Sequence, residues 1–167
     1  MTDTRDPQEL EDRLWKEVDK VRAGMLGLVG ERHQHFQPMT AFPDKEAGRI
    51  WFFTRCDTDL ARSVQTEPGD AMFIIMTKDQ EMQACIGGTL SADRDQSRVE
   101  TYWGPVLAAW YPDGKDDPNL ALLRFDCRDA QVWLSEAGPV KFAWEIVRAN
   151  LSDRKPDLGD QAILELR

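Results

Sequence analysis

The fold is narrowed first by a succession of short segments rich in β-branched, aromatic and other apolar residues, each ended by glycine, proline or charged residues. Gly24 to Gly30 is short and apolar, His35 to Phe42 carries the run Pro38-Met39-Thr40, and Gly48 to Arg55 is dense in aromatic side chains. These three read as strands, with Pro43 to Gly48 as the turn between the second and third. Ala71 to Thr77 is almost wholly apolar and reads as a buried strand. Glu81 to Ala92 reads as a fifth, whose Gly87-Gly88 pair predicts a bulge or the close approach of another backbone. Leu120 to Cys127 and Ala130 to Ser135 complete the set, and a turn at Arg128-Asp129 would join them as a hairpin.

Helical spacing is confined to the connections and the ends. Leu10, Leu14, Val18 and Val21 fall on one face of a helix running from Pro7 to about Arg22, and Asp6-Pro7 is a good start for it. Asp57 to Gln65 places Leu60, Ala61 and Val64 at helical spacing behind cap-type residues, and Pro68-Gly69 closes it. Gln96 to Trp110 and Gly138 to Leu151 also read as helices, and an apolar tail runs from Gly159 to Arg167. Many short strands with helices at the edges define a mainly β chain, an antiparallel barrel with flanking helices rather than alternating parallel units.

A chain of 167 residues suits one domain, taken as 1–167. Its apolar runs fall well short of the roughly 20 residues that a spanning helix needs. The polar opening Met1 to Asp6 lacks the apolar stretch of an export signal, so a cytoplasmic location is expected. Cys56, Cys85 and Cys127 are odd in number and widely spaced, and read as reduced thiols. A net charge of −9 argues against a nucleic-acid or anionic-membrane surface, which would need basic residues to neutralise phosphates.

The order of elements, together with Pro38-Met39-Thr40 on the second strand, Trp51-Phe52-Phe53-Thr54 on the third and the glycine ending the fifth, resembles the split barrel of pyridoxamine-phosphate-oxidase-like flavoproteins. Trp103 and the run Trp110 to Pro118, followed by an apolar strand and then Trp133, are similar to the general stress protein 26 branch. The resemblance spans Leu10 to Ser135. It implies a split β-barrel, a homodimer, and FMN at the dimer interface, with FAD possible. The residues it assigns to the cofactor are Pro38, Met39 and Thr40 along the ring, Phe53 and Thr54 at the third strand's end, Gln83, and Trp103 and Trp110 from the flanking segment. Two departures touch the phosphate. Gln37 stands where an arginine usually precedes Pro-Met, and Asp59-Leu60 stand where a basic pair usually follows the third strand. Arg55 and Arg62 are the nearest replacements. A phosphate dianion draws about 1.5–3 kcal/mol from each well-placed charged donor, so these departures bear directly on affinity.

Other residue patterns have simpler readings. His33 and His35 would point the same way on an extended segment, but no third ligand accompanies them, and two solvent-side histidines are favoured. Cys56 beside Arg55 suits a reactive thiol less well than a small strand-end residue. Trp51 and Trp133 read as packing mass. Asp116 and Asp117 read as a solvated turn before Pro118. Three functions follow: a flavin-dependent redox protein linked to stress, a non-enzymatic flavin binder or sensor, or a member that has lost flavin and acts as a dimeric interaction protein.

Overall fold

The computed structural model describes residues 6–30, 34–135, 146–148, 151 and 159–166. Helix α1 (Pro7–Val21) starts where expected: the Asp6 carboxylate accepts from the Gln8 amide at 3.0 Å, and Pro7 occupies the first turn. Leu10, Leu14 and Val18 are buried, joined by Trp15, which widens the apolar stripe. The strands are β1 (Ala23–Leu28), β2 (Gln37–Thr40), β3 (Phe42–Asp44), β4 (Arg49–Arg55), β5 (Gly69–Met76), β6 (Met82–Asp93), β7 (Leu120–Leu134) and β8 (Asp160–Glu165). Between them lie α2 (Asp59–Ser63), α3 (Gln96–Tyr102) and α4 (Pro105–Trp110).

All described strands form one antiparallel sheet in the order β2-β1-β5-β6-β7-β4-β3, with β8 added to β7. Its two end strands, β2 and β3, are consecutive in sequence, separated only by Ala41. A sheet whose opposite ends are joined by one residue must curl on itself, so the sheet is an antiparallel split barrel. Ala41 is fully buried at this corner and its amide donates to the Arg22 carbonyl at 2.7 Å. The strand expected over 35–42 is therefore two pieces on opposite edges. Each carries a proline, Pro38 and Pro43, which an edge strand tolerates because it need not donate on both sides.

Inside the barrel, alternate residues of each strand meet. Phe52 lies against Phe73, with ring centres 5.0 Å apart, and near Phe125 at 6.4 Å. Leu26, Ile50, Ile75, Ile86 and Leu123 fill the rest. Fully burying each such side chain contributes about 1.5–3 kcal/mol.

Three expectations are corrected. Arg128-Asp129 is not a hairpin turn: β7 runs unbroken from Leu120 to Leu134, and the register shifts opposite Gly87-Gly88, leaving Arg128 as the extra residue of a bulge. The glycine pair does what its sequence implied. A Cβ on Gly88 would stand 2.2 Å from the Asp126 carbonyl oxygen. The helix expected over 96–110 is split, because Trp103 and Gly104 are extended and Pro105 restarts the helix as α4. The helix expected over 57–65 is only one turn long, capped by Thr58, whose hydroxyl accepts from the Ala61 amide at 3.2 Å. Of the helix expected over 138–151, only 146–148 and Leu151 fall among the described residues, and these are helical. His33 also falls outside them.

Candidate functional site

Register and side-chain alternation sort the expected cofactor residues into three groups. Gln37 belongs to the inner face of β2, opposite buried Leu26, and its amide lies 3.7 Å from the Met39 sulfur. It opens β2 three residues after Gln34, whose side-chain amide donates to the Ser63 hydroxyl at 2.5 Å and to the Asp59 carbonyl at 3.4 Å. Gln34 thus docks the approach to β2 onto α2. Thr54 is half-buried on the inner face of β4, one residue before Arg55, and Arg62 is exposed in the last turn of α2. Gln34, Gln37, Thr54, Arg55, Thr58 and Arg62 therefore converge on the α2 end of the barrel.

Charge at this end is partly spent. Arg55 donates through Nε and Nη2 to the two carboxylate oxygens of Asp57, both at 3.0 Å. This fork holds the Asp57 carboxyl below its ordinary range and raises Arg55. Arg62 has no ion pair among the described residues. Leu60 does not stand on the surface as a lost cation would: it is 2% exposed, packed into the barrel core. Only Asp59 of that pair faces solvent.

The second group is on the outer face. Pro38, Thr40 and Gln83 point away from the core, and Gln83 donates to the Gln80 carbonyl at 2.8 Å. Around them, one transverse row crosses six strands in register: Pro38, Met25, Ile74, Cys85, Gln131 and Ile163. A neighbouring row aligns Met76, Gln83 and Trp133. Side chains in one register row share a face, and this face is exposed: Met76 by 57% and Ile163 by 74%. Met72 adds to it, its sulfur 3.5 Å from the Cys85 thiol, whose pKa is raised by burial and then by Asp129.

The third group is committed elsewhere. Phe53 packs edge-on against Phe42 at 5.2 Å and near Tyr102 at 6.5 Å, in a second cluster beneath α3 that includes Trp51, Val99, Leu122 and Trp103. The Arg98 guanidinium lies 5.4 Å from the Trp51 ring and bonds Asp44 at 3.0 Å, closing this cluster. Trp110 is apart from both, 74% exposed at the end of α4. Sequence reasoning missed Gln34 and the exposed rows of Met25, Ile74 and Ile163. The alternation in β5, Met72-Phe73-Ile74-Ile75-Met76, is apolar on both faces, and that was the available signal for a second covered surface. Gln34 had none, because its partners lie 25 and 29 residues away.

A curled antiparallel sheet closed through a one-residue corner, with a donor-lined end and an apolar outer face, is the split-barrel class. The family model described as pyridoxamine 5'-phosphate oxidase like matches residues 9–157. The chain belongs to that family, among its general stress protein 26 members. General stress protein 26 of Bacillus subtilis is 25% identical over 129 residues, which cover 75% of this chain and 89% of that one. A crystal structure assigned to general stress protein 26 from Jannaschia sp. CCS1 is 34% identical, with a TM-score of 0.76 over 95% of this chain and 99% of that one. The general stress FMN/FAD binding protein of Xanthomonas citri is 40% identical, with a TM-score of 0.71 over 78% of this chain and 92% of that one.

Proposed function

We propose that this protein binds FMN at the interface of a homodimer and works as a flavin-dependent redox protein linked to stress. The observation that carries the reading is the exposed register row from Pro38 to Ile163, a band across six strands that is apolar except at Gln131 and that a second copy would cover. The 40% identity to a protein described as FMN/FAD binding supports the choice of ligand. The local chemistry fits a flavin. β2 ends the sheet, so one backbone edge of Pro38-Met39-Thr40 is left unpaired by strands and can meet the polar rim of a flat ring. Thr54 and Gln37 offer neutral donors for a phosphate and Arg62 a charged one, whereas the Thr58 hydroxyl is spent on the Arg55 carbonyl at 3.0 Å. Bound FMN would supply one- and two-electron chemistry; the protein orients it, shields one face and sets the local charge.

The spent charge of Arg55 favours a second reading, a member with weakened flavin affinity that serves as a dimeric interaction protein. The visible spectrum of the purified protein before and after adding FMN separates the two, with light scattering for a mass near twice 19.1 kDa. Bound flavin that turns over a reduced nicotinamide supports the redox reading. Bound flavin without turnover leaves a binder or sensor. A dimer that takes up no flavin supports the interaction protein, and a monomer overturns both readings.

A further inference from the structure

Helix α2 has two sides. The Asp59 carbonyl and the Ser63 hydroxyl meet Gln34, whereas Ala61, about 200° around the helix from Asp59, and Gln65, just past its end, line a separate groove. This groove consists of two adjoining cavities of about 410 and 300 Å³, which share Asp93, Arg94, Leu120 and Leu122. Each lies within the range of small-molecule sites. Its far wall comes from Lys115 and Asp116, to which the flavin reading gives no role.

The charges lining the groove are not equally available. Asp93 is held by Arg124 at 2.9 Å. Asp117 is buried and spends its carboxylate on the amides of Asn119 at 2.8 Å and Asp113 at 3.4 Å. Arg94 and Lys115 have no ion pair among the described residues, and Asp116 is the remaining acid. At the exposed rim the charges outside ion pairs are thus two cations against one anion, in a chain whose net charge is −9, while Asp117 lies buried below them, bonded to amides and not to a cation. Between them the floor is apolar, formed by Val99, Leu120 and Leu122. A cationic rim of small net charge over an apolar floor selects a monoanion with an apolar body.

We propose that this groove is a second binding site, for a small amphipathic carboxylic acid whose head is held by Arg94 and Lys115 and whose body rests on Val99, Leu120 and Leu122. The site stands whether or not the protein binds flavin. The test is a titration of the full chain with benzoate, followed by the NMR shifts of the Leu120 and Leu122 amides, with acetate and benzyl alcohol as the separate head and body. Benzoate should give saturable shifts that neither part reproduces. Arg94→Gln with Lys115→Gln should weaken it at least about tenfold, at an unchanged melting temperature. Added FMN should leave benzoate affinity unaltered. The proposal is overturned by a flat benzoate titration, by equal affinity in the double variant, or by displacement of benzoate with FMN.

Discussion

Arg55 and Asp57, two residues apart at the end of β4, are locked in a fork of two 3.0 Å hydrogen bonds that turns the cation nearest Thr54 into half of an internal pair. Asp57→Asn removes the competing carboxylate while keeping its shape. FMN affinity should then rise by about 1–2 kcal/mol, and more at low salt than at high, because the gain is a charge-assisted contact to phosphate. Riboflavin, which lacks the phosphate, should bind both proteins equally. Quenching of flavin fluorescence measures both.

Thr54→Val deletes one hydroxyl at a half-buried strand end with little change in volume. FMN binding should weaken by roughly 1–2 kcal/mol with the melting temperature nearly unchanged. Equal affinities would remove Thr54 from the site.

Ile74→Lys places an ammonium at the centre of the exposed register row without touching the barrel interior, since Phe73 and Ile75 are the inward neighbours. The proposed dimer should weaken by ~3 kcal/mol, about a hundredfold. Sedimentation velocity should show monomers at micromolar concentration with an unaltered circular dichroism spectrum, and flavin should be lost with the dimer.

Gly88→Ala drives a methyl against the Asp126 carbonyl oxygen and the Phe125 ring edge, where a Cβ would sit at 2.2 and 3.0 Å. Neither neighbour can move freely, because both belong to β7. Stability should drop by roughly 1–3 kcal/mol in a denaturant titration, whereas Gly104→Ala, which meets nothing within 4 Å, should not show that loss.

Acid should destabilise the protein in a defined window. Hydrogen bonds from Arg55 to Asp57, from Thr77 to Asp79 and from Ser97 to Asp95 lower these carboxyls from their ordinary 3.8. A group with a depressed folded pKa contributes its stability above the unfolded value and loses it as pH falls through the folded one. Melting temperatures should therefore hold down to about pH 5 and fall below about pH 4. Asp57→Asn should shrink that fall.

The parts legible in sequence are those with local causes. Asp6 and Pro7 start α1 through their own side chain and ring, the Gly87-Gly88 pair marks a bulge by lacking side chains, and the aromatic run to Thr54 forms β4. What escaped depends on partners distant in sequence. Arg128 and Asp129 look like turn residues until β6 runs beside them and converts the irregularity into a bulge within one strand. Leu60 reads as the place of a missing surface cation, yet the single turn of α2 rotates it into the core. Thr54 and Gln37 could be picked out as donors, but the Arg55 to Asp57 fork could not, because either residue alone is an ordinary exposed charge.

The one-residue corner at Ala41 also dictates an order of assembly. Strand β4 has only two neighbours, β3 at the edge and β7, and Ile50 and Phe52 of β4 pair with Phe125 and Leu123. While the chain is being synthesised, β4 emerges long before its main partner. β1, β2, β5 and β6 can pair as they appear, but one backbone edge of β4 has no strand to pair with until β7 leaves the ribosome, so the barrel shuts late. A ribosome paused between Arg55 and Leu120 would hold out an unroofed half-sheet, and that interval is when a chaperone has most to grip.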